Sequence, residues 1–165
     1  MPAPRSRSRS RWIPALACAF ALGPVAGAKD LSGLRWNFTL PTLEGARFIA
    51  LADIRGPVLV NFWGRDCPPC MAELPRLQAF ALAHPKWTVV LVSTDSPDLA
   101  LEALNRRGIA LLALRKGANV AGLMRAAGNT SGGLPYSVSA RNAIICRAGA
   151  GEISPALLAQ WAEEC

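Results

Sequence analysis

The chain has 165 residues, enough for one domain with its own core and too short for two, so we expect a single domain preceded by a leader. Its formal charge of +7 overstates any attraction to anionic partners. Four of the basic residues, Arg5, Arg7, Arg9 and Arg11, precede residue 28; residues 29–165 carry 14 Lys/Arg against 11 Asp/Glu, a scattered net +3 that excludes no-one but gives no footing for nucleic acid.

Residues 1–28 combine those arginines, an apolar run from Trp12 to Val25 and the small triplet Ala26-Gly27-Ala28. This is the layout of a secretory signal, so the expected organisation is a signal at 1–28 and a domain at 29–165. An uncleaved N-terminal anchor is the main rival, although Pro14, Gly23 and Pro24 interrupt the run and disfavour a spanning helix. Cys18 follows Ala15-Leu16-Ala17, a poor lipidation site, and four arginines directly before an apolar run suit a signal better than a nucleic-acid tail. With the leader removed, Cys67, Cys70, Cys146 and Cys165 remain, an even count that fits disulfide chemistry in an exported protein, here periplasmic.

Residues 29–56 read as a mixed lead-in with short alternating pieces around Pro41 and Gly45, as in a hairpin, and no catalytic signal. Val58-Leu59-Val60, continuing through Phe62 and Trp63 to Gly64, reads as a buried strand. A helix is predicted to start near Cys67, with Leu74, Leu77 and Ala81 on one apolar face and Pro75 as a kink. A second buried strand follows at "WTVVLVS", then a helix around "SPDLALEALNRRG", a short strand near Ile109–Leu112 and a helix around "NVAGLMRAAG". After the break at "NTSGGLPYS", Ser137–Ser139 and Ala143–Ala148 form a predicted strand pair turning at Arg141-Asn142. Ser154 and Pro155 supply the N-cap and first position of a closing helix. Alternating strands and helices followed by a hairpin and a helix predict an α/β fold, a mixed central sheet with helices on both faces.

The pair Cys67-Pro68-Pro69-Cys70 admits three chemistries. Haem attachment needs a histidine directly after the second cysteine, where Met71 stands. Structural zinc needs four ligands, but Cys146 and Cys165 are far apart in sequence and His84 reads as a helix-end residue before Pro85, so no metal is expected. A redox pair needs one cysteine at a helix N-terminus, where free N–H groups favour the thiolate, and a second one turn behind it. A strand, Gly64 and a helix starting near Cys67 supply that arrangement, and Cys70 falls on the same face.

The segment "VLVNFWGRDCPPCMAELP" resembles the active-site segment of the thioredoxin superfamily. It is most similar to that of the exported TlpA-type thiol:disulfide oxidoreductases, which include reductants of cytochrome c maturation. The similarity covers residues 34–164. It implies a thioredoxin-like fold, with Cys67 as the attacking thiol and Cys70 as the resolving one. It matches Phe62 and Trp63 to an aromatic pair, Pro75 to a helix proline, and Asn61 to a position where thioredoxin has a buried aspartate. Glu73 matches a glutamate thought to assist proton transfer in the TlpA-like branch, with a first-turn acid favouring the helix dipole as the competing reading. Leu134-Pro135 matches the cis-proline loop that faces the cysteines and exposes backbone to a substrate strand.

Where such proteins usually carry tryptophan before the first cysteine, this chain has Asp66. A carboxylate there opposes the Cys67 thiolate, with Arg65 as partial compensation, and so should push the pair toward reduction. The tuning residues expected from sequence are thus Glu73, Asp66 and Trp63.

A strand from Cys146 and a returning helix from Pro155 advance by comparable lengths, which brings a bridge between Cys146 and Cys165 within reach; two free thiols or pairing between chains through Cys165 remain open. The resemblance does not supply this bridge.

The function expected is reduction of disulfides in cysteine-containing exported proteins by a monomer. No soluble cofactor is expected, no nucleic acid is involved, and a membrane donor would supply the electrons. A dithiol oxidase is the main alternative, because the motif does not set direction. A copper-handling relative would want a longer cysteine spacing and a distant histidine, and a peroxidase a threonine-containing motif around a lone cysteine; the chain has neither.

Overall fold

A computed structural model describes residues 31–165, so the leader, its boundary at 28/29 and Cys18 lie outside the described residues. A short hairpin pairs β1 (Thr39–Pro41) with β2 (Phe48–Ala50), as the lead-in pattern suggests, and a 3-10 turn follows at Leu51–Asp53. The main sheet has five strands: β3 (Pro57–Trp63), β4 (Thr88–Ser93), β5 (Leu112–Leu114), β6 (Tyr136–Arg141) and β7 (Ile144–Ala150), in the order β5-β4-β3-β6-β7. β3 pairs parallel with β4 and antiparallel with β6, so the sheet is mixed. All seven residues of β3 are buried, because it is central and covered on both faces; this is why it reads as a continuous apolar run rather than an alternating one.

Among the described residues four helices accompany the sheet: α1 (Pro68–Ala83), α2 (Pro97–Asn105), α3 (Val120–Ala126) and α4 (Pro155–Glu164). On one face, Leu74 and Leu77 of α1, Ala100 and Leu104 of α2, and Leu158 and Trp161 of α4 pack over Leu59, Val89 and Leu91. Leu74 and Leu77 are fully buried, and each such burial contributes about 1.5–3 kcal/mol. The opposite face joins Val58, Val60, Val90 and Val92 to Met124 of α3 and to Trp36, Phe38 and Leu40 of the lead-in. The α/β architecture with helices on both faces is therefore the observed one.

The lead-in does more than precede the sheet. Gly33 and Trp36 donate to the carbonyls of Ile145 and Ala143 at the β7 edge, at 2.9 and 2.8 Å. Leu43 donates to the Ala113 carbonyl, and Arg115 to that of Pro41, at the β5 edge, at 3.0 and 2.9 Å. Residues 33–43 thus form a strap from one edge of the sheet to the other.

Several boundaries differ from the sequence expectation: β6 and β7 span Tyr136–Arg141 and Ile144–Ala150 rather than Ser137–Ser139 and Ala143–Ala148, and two differences have a local cause. The strand near Ile109–Leu112 begins only at Leu112, where pairing with Val90 starts, because every residue from Ile109 to Leu114 is apolar and local pattern cannot choose the register. The β6–β7 turn lies at Asn142-Ala143, both left-handed with φ 52° and 59°, one residue later than expected. The strap's hydrogen bond to the Ala143 carbonyl accompanies this placement, and left-handed residues suit the twist of a two-residue hairpin.

Candidate active site

The site is built where β3 ends and α1 begins. Cys67 is the N-cap of α1, with Pro68 in the first helical position, where the missing N–H is no loss. The Cys70 backbone N–H donates to Cys67 Sγ at 3.3 Å, so one of the free amides of the helix start faces the sulfur. Cys67 and Cys70 are disulfide-bonded, with Cα atoms 5.2 Å apart. Cys67 is half-buried and reachable, while Cys70 is 1% exposed. This asymmetry separates an outer sulfur that a partner can meet from an inner one that it cannot.

The loop between strand and helix is tied to the β4–α2 junction. Thr94 donates its backbone N–H to the Trp63 carbonyl at 2.9 Å, and the Arg65 N–H donates to Asp95 Oδ2 at 2.7 Å. A Cβ added at Gly64 would sit 3.0 Å from Thr94 Oγ1 and 3.6 Å from Leu134 Cδ1, so glycine permits this close approach. Asp95 and Thr94 were not singled out from sequence, since nothing local announces a contact across 30 residues.

The Leu134–Pro135 peptide bond is cis. Phe62 pairs with Tyr136 across β3 and β6, which carries Pro135 level with Trp63 and beside the cysteine loop. Trp63 is fully buried in the cluster that holds Cys70 and Leu74, so it forms the floor of the site rather than a contact surface. Asp66 is 87% exposed at its side chain and pairs with Arg65 at 3.3 Å. A cleft of about 150 Å³ beside the motif is lined by Arg65, Asp66, Met71, Leu99 and Glu102.

Glu73 lies in the second turn of α1 and is fully buried, so the reading of it as a first-turn acid favouring the helix dipole fails. Its Oε1 accepts from the Ile153 N–H at 2.9 Å and its Oε2 from Asn61 Nδ2 at 3.2 Å. Burial pushes its carboxyl above the usual carboxylate range, against the smaller opposing effects of Ile153, Asn61 and the Arg76 charge. Asn61 Nδ2 also donates to Ser137 Oγ at 3.0 Å. Arg76 pairs with Glu152, closing the β7–α4 loop over this buried group. Ser137, Glu152 and Ile153 escaped the sequence reading; Ser137 alternates with Val138 and Ser139 on β6 and gives no sign of which serine faces β3's asparagine.

Far from this site, Cys146 on β7 and Cys165 at the end of α4 are disulfide-bonded, with Cα atoms 5.5 Å apart. His84 caps the C-terminal end of α1 and stacks on Phe80 at 4.3 Å, a structural place. Among the described residues no group of three His, Cys, Asp or Glu is arranged to hold a metal ion.

Comparison with known proteins fits this geometry. Residues 35–128 match the AhpC/TSA family. The thiol-disulfide oxidoreductase ResA of Halalkalibacterium halodurans is 34% identical over 89 residues, covering 51% of this chain and 50% of that protein. The sporulation thiol-disulfide oxidoreductase A of Bacillus subtilis is 33% identical over 84 residues, covering 51% of this chain and 46% of that one. The chain thus spans about half the length of the curated relatives it matches. In structure it is similar to StoA from Bacillus subtilis, with a TM-score of 0.62 and 21% identity over 79% of this chain and 98% of that one. It is also similar to a DsbF homologue from Corynebacterium diphtheriae, with a TM-score of 0.68 and 20% identity over 79% and 85% of the two chains. Taken with the strand, helix and cysteine geometry, these likenesses show a thioredoxin-like fold, and by the matched family model the chain belongs to the AhpC/TSA family.

Proposed function

We propose that this protein is an exported thiol:disulfide oxidoreductase that reduces disulfides in other exported proteins through Cys67 and Cys70. The observation that carries the reading is the N-cap position of Cys67, with the Cys70 N–H directed at its sulfur above a buried carboxyl. In the reduced protein, the Cys67 thiolate attacks a partner disulfide, forming a mixed disulfide and releasing one partner sulfur as thiolate. Cys70 then gives its proton to the Glu73 carboxylate and attacks Cys67 Sγ. The mixed disulfide breaks, the second partner sulfur leaves, and Cys67–Cys70 is again a disulfide. Two electrons have passed to the partner, and a thiol donor at the membrane restores the dithiol.

The direction is supported by Glu73. A carboxylate one turn from Cys70 in a buried setting opposes negative charge on the pair, and a less stabilised dithiol is a stronger reductant. The names of the relatives, thiol-disulfide oxidoreductases, agree with the reaction class. The test is the reduction potential of the Cys67–Cys70 pair in residues 29–165, together with trapping by Cys70→Ser. A potential near or below about −250 mV and a mixed disulfide on Cys67 support a reductant; one near about −120 mV makes the protein an oxidant.

A further inference from the structure

The buried group beneath the cysteines contains an unbalanced hydrogen bond. Asn61 spends both amide hydrogens, one on Glu73 Oε2 and one on Ser137 Oγ, while its Oδ1 is buried with no partner among the described residues. That orientation serves an ionised Glu73, which can only accept. It does not serve a protonated Glu73, whose O–H needs an acceptor, and Oε1 is already held by the Ile153 N–H, a donor. The proton must therefore reside on Oε2, opposite Asn61.

We propose that Asn61 is a reversible positioning residue, whose side-chain amide turns end for end as Glu73 gains or loses its proton, with the Ser137 hydroxyl following. Turned over, Asn61 Oδ1 takes the place of Nδ2 and accepts from the Glu73 O–H and from the Ser137 O–H. Nδ2 then moves to the place where Oδ1 has no partner among the described residues, a cost that the neutral carboxyl's bond must offset. The two ends of the amide are nearly equal in size, so the packing of β3 against α1 is unchanged. A serine hydroxyl both donates and accepts, which lets Ser137 serve either orientation. Glu73 thus stays on the Ile153 N–H in both states and its proton moves at a fixed place.

The groups facing Glu73 are few. Its own helix supplies Cys70 one turn before and Arg76 one turn after; β3 supplies Asn61; the β7–α4 loop supplies the Ile153 N–H and Glu152, which is held by Arg76; β6 acts through Ser137. Of the two groups hydrogen-bonded to the carboxyl in this structure, Asn61 and the Ile153 N–H, only Asn61 can reverse the polarity it presents, and Cys70 is the group with which Glu73 exchanges its proton in the proposed reaction. The inference rests on Glu73 as the proton acceptor of the proposed reaction, but its test does not need catalysis.

The Asn61 side-chain amide resonances are followed against pH alongside the Glu73 carboxyl carbon, in the reduced and oxidised protein. The two should share a midpoint. Glu73→Gln should fix the reversed orientation, because the glutamine oxygen keeps the Ile153 N–H and its amide donates to Asn61 Oδ1; the Asn61 signals should then stay at their low-pH position at every pH. Asn61→Leu, which removes the stronger charge-assisted bond to the carboxylate and the weaker neutral bond to the acid, should raise the proton affinity of Glu73 by about threefold. If that variant does not fold, Ser137→Ala serves, with a smaller rise in the same direction. Asn61 signals that do not move while Glu73 titrates, or that still titrate in Glu73→Gln, overturn the proposal. Loss of disulfide exchange with the Asn61 reversal intact would instead count against the proposed function alone.

Discussion

The Cys70 backbone nitrogen lies 3.3 Å from Cys67 Sγ and donates its hydrogen to that sulfur. Once the disulfide is reduced, the same amide favours the Cys67 thiolate over a Cys70 thiolate, whose sulfur is buried at the same helix turn. Alkylation at low reagent concentration should therefore modify Cys67 first, with Cys70 left intact, as peptide mass mapping would read. Equal labelling of both cysteines would contradict this assignment.

Asp66 should matter less than its sequence position suggests. Its carboxylate is 87% exposed and paired with Arg65, so water and salt screen its effect on Cys67. We expect Asp66→Asn to move the potential of the pair by no more than about 10 mV, corresponding to about 0.5 kcal/mol. Redox equilibration against glutathione measures it; a much larger shift would restore Asp66 as the main tuning group.

Glu73 makes stability depend on pH in a definite direction. Its folded-state affinity for a proton is raised, chiefly by burial, so between the unfolded and folded pKa the folded state holds more protons. Stability contributed by the neutral group is present below the usual carboxylate range and falls as pH rises through the folded value. Urea unfolding at about pH 5 and about pH 8 should show the wild type losing stability relative to Glu73→Gln. A parallel pH dependence in the two proteins would refute the assignment.

The second disulfide should act on stability and leave exchange chemistry in place. Cys146 and Cys165 close a loop with a sequence separation of 19, and chain entropy alone assigns such a closure about 3 kcal/mol. The Cys146→Ser/Cys165→Ser double variant should unfold at lower urea with its slope little changed, and should still reduce a disulfide substrate through Cys67. Loss of exchange in a folded double variant would show that the bridge takes part in electron transfer.

Removing the α4 cap should cost less. Ser154 Oγ accepts from the Leu157 N–H at 3.2 Å, and Ser154→Ala should lower stability by about 1 kcal/mol, read from denaturant midpoints.

Much of this was legible because the chemistry is local. Seven consecutive buried residues wrote β3 into the sequence, and Cys67, Cys70 and the Ser154-Pro155 cap each announced a helix start. The environment of Glu73 was not legible: from its own neighbours it could be an exposed acid or a buried one, and the decision comes from Asn61, Ser137 and Ile153, which are 12, 64 and 80 residues away in sequence. The limits of β5 were hidden for the opposite reason, since an unbroken apolar stretch carries no register and only the pairing of Leu112 with Val90 sets it. The strap does carry a signal in the sequence: Trp36, Phe38 and Leu40 alternate with polar residues and all three are buried.

That strap also guards the sheet against its own kind. A strand at the border of a sheet offers unpaired amides and carbonyls to any other extended chain. Here one segment occupies part of both borders, at Ile145 and Ala143 on one side and at Ala113 on the other. A chain shortened to begin after Gly45 would keep Cys67, Cys70 and the sheet beside them, yet expose two templates for strand addition at once. Such a chain would be expected to fail by self-association before it failed in chemistry.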